Sequence, residues 1–271
     1  MQIDVASVLK QRAPAYYRWM PNFVVRWLER LICQDELNAI LNAIGGNTGV
    51  EAAQIALREL DIRVIVDDIE NIPENGRYIF ASNHPLGGLD GLALITVLGN
   101  HYNGNVRFLV NDLLMAVKPL QNVFLPVNKY GRQSRDSVND IVQAYDSGAQ
   151  MITFPAGLCS RKESGKPVQD LKWNKSIVTM AIGHHRDIVP VYFEGENSKW
   201  FYRLARWRKR LGINFNIEMI LLPREMVKSR GTTYHIHVAE PVKWTSLDIH
   251  KPVAEAARLR DMVYDMRDKL K

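Results

Sequence analysis

His84 and Asp90 share the run Asn83-His84-Pro85-Leu86-Gly87-Gly88-Leu89-Asp90, a histidine and a carboxylate at the junction of a strand-like and a helix-like segment. A carboxylate on one imidazole nitrogen fixes the tautomer and leaves the other free to take a proton from a hydroxyl, an effect that contributes about 10²–10⁴-fold in rate. Pro85 cannot continue a strand ladder, and Gly87 and Gly88 open backbone conformations closed to other residues, so the turn can carry Asp90 back toward the ring. The same residues also suit a structural turn whose histidine does no chemistry. The run by itself leaves both readings standing.

Three later turns carry charge or glycine. Asn128-Lys129-Tyr130-Gly131-Arg132-Gln133-Ser134-Arg135 brings three cations to the start of a helix-like stretch. Pro155-Ala156-Gly157-Leu158-Cys159-Ser160-Arg161-Lys162 and Glu194-Gly195-Glu196-Asn197 each follow an apolar run. A glycine such as Gly157 lets backbone approach a ligand closely, while Lys129, Arg132, Arg161 and Lys162 offer charge-assisted hydrogen bonds to phosphate or carboxylate oxygens. Taken singly, such a loop is more commonly a solvated basic face.

The elements that must position these turns alternate in type. Residues 62–66, 78–82, 106–110, 124–127, 151–154, 188–193, 215–222 and 234–239 read as strands, and 89–98, 134–147 and 173–185 as helices. Ser134 suits an N-cap and Gly148 a C-terminal cap. The alternation predicts an α/β domain with a mostly parallel central sheet flanked by helices, whose active site gathers at the carboxyl ends of strands. Ahead of it, Met20, Val24, Trp27, Leu28, Leu31 and Ile32 recur at helical spacing with Arg18, Arg26 and Arg30 opposite them. With Tyr16, Tyr17, Trp19 and Phe23 this amphipathic stretch suits either packing on the main domain or the boundary of a lipid headgroup layer. Ile44 to Gly49 breaks the pattern, giving an N-terminal helical segment over 1–46 and an α/β domain over 47–271.

Composition narrows the setting. The chain of 271 residues is 46% hydrophobic, enough for a sizeable core, and its net charge of +6 favours an anionic partner. Its two cysteines, Cys33 and Cys159, have no partner at metal-ligand spacing, so the expectation is a reducing cytoplasm, no disulfide framework and no metal. The start Met1-Gln2-Ile3-Asp4 does not read as a signal peptide, and no apolar run reaches the ~18 residues of a membrane span.

Taken in order, His84 with Asp90, then Lys129 to Arg135, then Phe154-Pro155-Ala156-Gly157 with Ser160-Arg161, then Val189-Pro190-Val191 before a glycine resemble the four blocks of the glycerolipid acyltransferase family. That family holds the lysophosphatidic-acid and glycerol-3-phosphate acyltransferases. The resemblance covers roughly residues 75 to 200. It implies a lipid O-acyltransferase in which His84 deprotonates the acceptor hydroxyl and Asp90 orients it. Further, it implies that the next two blocks hold the acceptor's anionic group, through Lys129, Arg132, Gly157, Ser160, Arg161 and Lys162, and that the fourth shapes the acyl-donor side. No cofactor is expected beyond an acyl-acyl carrier protein or acyl-coenzyme A co-substrate. Backbone N–H groups near Gly87, Gly88 and Leu89, at the start of the following helix, are the expected oxyanion donors.

This chain departs from the family at three points. Five residues, Pro85 to Leu89, separate His84 from Asp90, one more than the family pattern. Ala156 stands where the family has glutamate, with the arginine displaced to Arg161. Lys129 stands at an arginine position. The altered pattern is similar to a divergent bacterial branch often labelled as hemolysins, which includes enzymes that O-acylate lyso-aminolipids.

A second basic and aromatic run, Lys199 to Arg210, suits an anionic membrane surface or an acidic carrier protein. No nucleic-acid-binding module accompanies it, so nucleic acid is not an expected partner. The placement implied is cytoplasmic, peripheral on the inner face of a membrane. A covalent acyl-enzyme on Cys159 is the rival chemistry. A non-catalytic lipid-binding protein of the same fold is the rival function, and it predicts His84 and Asp90 far apart.

Overall fold

Continuous apolar runs such as Tyr78-Ile79-Phe80-Ala81-Ser82 belong to strands covered on both faces. In the computed structural model, which describes residues 2–12, 14–127, 135–163, 165–213 and 215–270, that run is the central strand of a seven-stranded sheet. The chain opens with helices α1 (Val5–Arg12), α2 (Pro14–Tyr17), α3 (Asn22–Leu31), α4 (Gln34–Ile44) and α5 (Gly49–Glu59). There follow β1 (Arg63–Asp67), β2 (Tyr78–Ser82), α6 (Leu89–His101), β3 (Val106–Asn111), β4 (Phe124–Val127), α7 (Arg135–Asp146) and β5 (Gln150–Thr153). A two-residue hairpin, β6 (Arg161–Lys162) with β7 (Val168–Gln169), precedes α8 (Ser176–Gly183), β8 (Asp187–Phe193) and α9 (Lys199–Arg210). The chain closes with α10 (Leu222–Lys228), β9 (Thr233–Val238) and α11 (Pro252–Lys269).

The strand order is β1-β9-β8-β2-β5-β3-β4, and every neighbouring pair is parallel except β8 with β9. This is the mostly parallel α/β sheet that the sequence predicts. Alternate residues of β2 serve two cores: Phe80 joins Leu60, Leu94 and Ile95 beneath α5 and α6, while Ile79 and Ala81 join Val178, Leu259 and Val263 beneath α8 and α11. Helices α5 and α6 approach closely because Gly99 has no Cβ; one placed there would meet Val50 Cγ2 at 2.4 Å.

Arg186, wholly buried, ties the second layer together. Its guanidinium donates to the carbonyls of Ala144, Tyr145 and Ser147 at the end of α7, and to those of Ala149 and Tyr78 at the starts of β5 and β2. Burial, then the Arg77 charge, pull its pKa down to about 10.

Two expectations about elements are corrected. Residues 215–222 form no strand: Ile217–Leu221 is a 3-10 turn and α10 begins at Leu222, with Pro223 in its first turn where the missing N–H costs nothing. Glu218, within this stretch, is wholly buried and ion-paired. The amphipathic stretch from Tyr16 to Leu41 is also not one helix. Extended backbone at Pro21 and a left-handed residue at Cys33, φ 54°, divide it into α2, α3 and α4. Ile40 and Ile44 of α4 are buried in the core beside α5, whereas Tyr16, Trp19, Phe23 and Trp27 are exposed. Among the described residues no helix is long and apolar enough to cross a membrane.

Candidate active site

Because β8, β2 and β5 are adjacent and parallel, the turns that follow them meet at one edge of the sheet. Asn83 continues the β2–β8 pairing beyond the ladder. Its Nδ2 donates to the Phe193 carbonyl (2.9 Å) and its Oδ1 accepts from the Phe193 N–H (2.6 Å). Asn197 Nδ2 donates to the Pro85 carbonyl at 2.9 Å, so the fourth block holds the His84 turn at a second point.

Within that turn, Asp90 is wholly buried in the first turn of α6, where a carboxylate is favoured by the helix dipole. Asp90 Oδ2 accepts from His84 Nδ1 (3.0 Å) and from the N–H groups of Leu86 (2.9 Å) and Gly87 (3.3 Å); Oδ1 accepts from Gly91 N–H (3.0 Å). The turn thus absorbs the extra residue between His84 and Asp90. Gly87 makes this feasible: its φ is +89°, and a Cβ there would meet Leu222 Cδ1 at 2.7 Å and Cys159 Sγ at 2.9 Å.

The imidazole stacks on Phe154, ring centroids 3.9 Å apart. Burial, the largest single influence, favours the neutral ring. The Asp90 charge, the neighbouring Cys159 and hydrogen bonds to both outweigh it, holding the His84 pKa well above the ordinary histidine value.

The third block is locked to this turn by a carboxylate that sequence reasoning missed. Asp170 is buried; its Oδ1 accepts from Ser160 Oγ (2.6 Å) and from the His84 N–H (3.2 Å), and its Oδ2 from Trp173 Nε1 (2.9 Å). Ser160 N–H donates to the His84 carbonyl at 2.7 Å. Burial pushes the Asp170 carboxyl up, against the pull of these hydrogen bonds. Ser160, expected to touch substrate, spends its hydroxyl on Asp170. No sequence signal marks Asp170, since its partners lie in three different segments.

Gly157 turns the chain after β5 with φ +64°, its N–H on the Phe154 carbonyl, and is exposed. Gly88 is exposed at the cap of α6. Arg161 donates to the Cys159 carbonyl (2.9 Å), pairs with Glu218 (2.9 Å) and lies over the Phe201 ring. Lys162 pairs with Glu196 at 3.3 Å in a half-exposed bridge. Cys159 is wholly buried, and its thiol is one of the groups that raise the His84 pKa. Lys129 and Arg132 lie outside the described residues, and Arg135 opens α7 on an exposed face.

A cavity of about 840 Å³ touches the same turn through Asn83 and Pro85 rather than through His84. Its wall includes Asp67, Glu194, His235 and His237, which pair among themselves: His235 Nδ1 with Asp67 at 2.8 Å and His237 Nε2 with Glu194 at 2.6 Å.

Comparison with known proteins gives the family. The lyso-glycine lipid O-acyltransferase of Phocaeicola vulgatus is 45% identical over 265 residues, covering 97% of this chain and 95% of that one. The lyso-glycine lipid O-acyltransferase of Bacteroides thetaiotaomicron is 44% identical over 265 residues, covering 97% of each. The crystal structure of the 1-acyl-sn-glycerophosphate acyltransferase PlsC from Thermotoga maritima is 17% identical with a TM-score of 0.48, covering 82% of each chain. A family model described as Acyltransferase matches residues 7–270, and with nearly its whole length so matched the chain belongs to the acyltransferase family.

Proposed function

We propose that this protein moves a fatty acyl group from an acyl thioester to the hydroxyl of a lyso-lipid, and that the acceptor is a lyso-glycine lipid. The observation that carries the chemistry is the 3.0 Å contact between His84 Nδ1 and Asp90 Oδ2 at the carboxyl end of the central strand. Asp90 holds the proton on Nδ1, so the other ring nitrogen takes the acceptor's hydroxyl proton as its oxygen attacks the thioester carbon. The tetrahedral oxyanion then collapses, expelling the thiolate, which recovers the proton from the imidazolium. Since the Gly87 N–H is engaged by Asp90, the N–H groups of Gly88 and Leu89 at the opening of α6 are the better oxyanion donors. Direct transfer is favoured over an acyl-Cys159 intermediate because that thiol is wholly buried.

The acceptor assignment rests on the two curated relatives, each named for a lyso-glycine lipid and matched over almost their full lengths. Acyl carrier protein and coenzyme A are both suitable donors. We also assign residues 1–46 to an interfacial segment that seats the protein peripherally on an anionic membrane, at the inner face: its exposed Tyr16, Trp19, Phe23 and Trp27 alternate with Arg18, Arg26 and Arg30. The non-catalytic reading expects His84 and Asp90 apart, and the 3.0 Å contact disfavours it.

Purified protein offered acyl-acyl carrier protein and acyl-coenzyme A, with a panel of lyso-aminolipid and lyso-phospholipid acceptors, tests this by mass spectrometry of new products. Acylated glycine lipid from wild type and none from folded His84→Ala is the expected result. Wild-type turnover by His84→Ala overturns the mechanism, and absence of glycine-lipid product overturns the acceptor.

A further inference from the structure

The loop expected to receive an acceptor's anion already holds one of the protein's own. Glu218 is wholly buried between two guanidiniums, with Oε1 2.9 Å from Arg161 Nη2 and Oε2 2.9 Å from Arg208 Nε. One further donor of each is also engaged: Arg161 Nη1 bonds the Cys159 carbonyl and Arg208 Nη1 the Ile213 carbonyl. Arg161 directly follows Ser160, whose N–H donates to the His84 carbonyl at 2.7 Å. An acceptor hydroxyl at His84 therefore has the loop that carries Arg161 beside it. Both arginines keep a solvent edge, with 14% and 15% of their side chains exposed. Two guanidiniums spaced to share one carboxylate are also spaced to grip a phosphate, and with Glu218 in place they cannot.

We propose that Glu218 determines acceptor specificity: its carboxylate fills the seat between Arg161 and Arg208 that an acceptor phosphate would take, so that lyso-lipids bearing phosphate are excluded. This rests on the reading that a lyso-lipid is the acceptor and deepens it, since glycine brings a carboxylate and no phosphate. The exclusion is both steric and electrostatic. A phosphate brought to the cluster meets a filled seat and a like charge, and the guanidinium donors that face the seat are already paired with Glu218.

Glu218→Ala vacates the seat and leaves two unpaired guanidiniums. The expected result is a saturable rise in melting temperature with inorganic phosphate or glycerol 3-phosphate that wild type lacks. Alongside it, the ratio of acylated lysophosphatidic acid to acylated lyso-glycine lipid should rise about tenfold or more. Glu218→Gln keeps the shape, removes the charge and should shift the ratio in the same direction by less. Folded variants with no phosphate-dependent stabilisation and an unchanged acceptor ratio overturn the proposal. Where neither variant folds, wild type still decides. Saturable stabilisation of wild type by phosphate that Arg161→Lys abolishes means the seat was never filled, whereas wild type indifferent to phosphate agrees with Glu218 occupying it. Wild type inert toward lyso-glycine lipid, with Glu218→Ala gaining phosphate binding, would sink the acceptor assignment and leave this inference intact.

Discussion

Asp90→Asn tests the proposed base most directly, because the structure says what the amide must lose. Four donors converge on the carboxylate: His84 Nδ1, Leu86 N–H and Gly87 N–H on one oxygen, Gly91 N–H on the other. An amide keeps most of these only with its oxygen in the three-donor position, which turns its NH₂ against the Gly91 N–H. One buried donor is then unsatisfied, costing about 1–3 kcal/mol of stability. The catalytic loss is separate. Two unit charges about 3–4 Å apart interact by about 4–5 kcal/mol at an effective dielectric constant near 20, and every 1.36 kcal/mol is tenfold in rate. Losing the Asp90 charge opposite a forming imidazolium should therefore lower kcat by about 10³-fold. The pH profile adds a signature. A base works when deprotonated, so kcat/KM rises with pH through the His84 pKa, which in the wild type lies well above the ordinary histidine value. Without the Asp90 charge, burial favours the neutral ring and the rise moves to lower pH. Initial rates of acyl transfer from pH 5 to 10, with circular dichroism to verify folding, decide it. Folded Asp90→Asn within tenfold of wild type, or a rise that stays in place, refutes the reasoning.

Four further outcomes follow from buried or exposed groups. Asp170→Asn sets an amide NH₂ against either the Trp173 indole N–H or the Ser160 and His84 donors. We expect a loss of about 1–3 kcal/mol in urea titrations and a fall in kcat larger than any change in KM. Gly87→Ala combines a φ of +89° with contacts of 2.7 Å and 2.9 Å to Leu222 and Cys159; a destabilisation of about 2–4 kcal/mol is expected, and an unchanged melting temperature would contradict the turn described. Arg186→Met strips five carbonyls of their donor, and urea unfolding should show at least about 3 kcal/mol lost. Replacing Trp19, Phe23 and Trp27, exposed by 82%, 72% and 58%, with alanine should leave stability within about 0.5 kcal/mol per site. In the same triple variant, co-sedimentation with phosphatidylglycerol vesicles should fall about tenfold or more; undiminished binding would exclude this face from the membrane contact.

The strands were legible because the parallel sheet is covered on both faces, so β2, β4 and β8 appear in the sequence as uninterrupted apolar runs. The pairing of His84 with Asp90 was legible because both lie within one short turn. What stayed hidden depends on contacts between distant segments. Asp170 is recognisable only once Ser160, Trp173 and His84 surround it, and Glu218 only once Arg161 and Arg208 bracket it. Arg186, flanked in the sequence by His185 and Asp187, carries no sign that five backbone carbonyls await it. The break at Cys33 is a left-handed residue that no propensity for cysteine foretells.

Strand order explains why the four sequence blocks are not equivalent in space. The turns after β2, β5 and β8 belong to three adjacent strands and are stitched by side chains: Asn83 to Phe193, Asn197 to Pro85, Ser160 and Asp170 to His84. β4, which precedes the second block in the sequence, is the edge strand, with β3 between it and β5, while residues 128–134 lie outside the described residues. The cations of the third block are countered by Glu218 and Glu196, so the positive charge once expected there is largely spent within the protein. Position and charge therefore divide the labour. In the proposed mechanism the stitched turns fix where a hydroxyl meets His84, and in the proposed specificity the countered arginines limit which head groups can lie beside it.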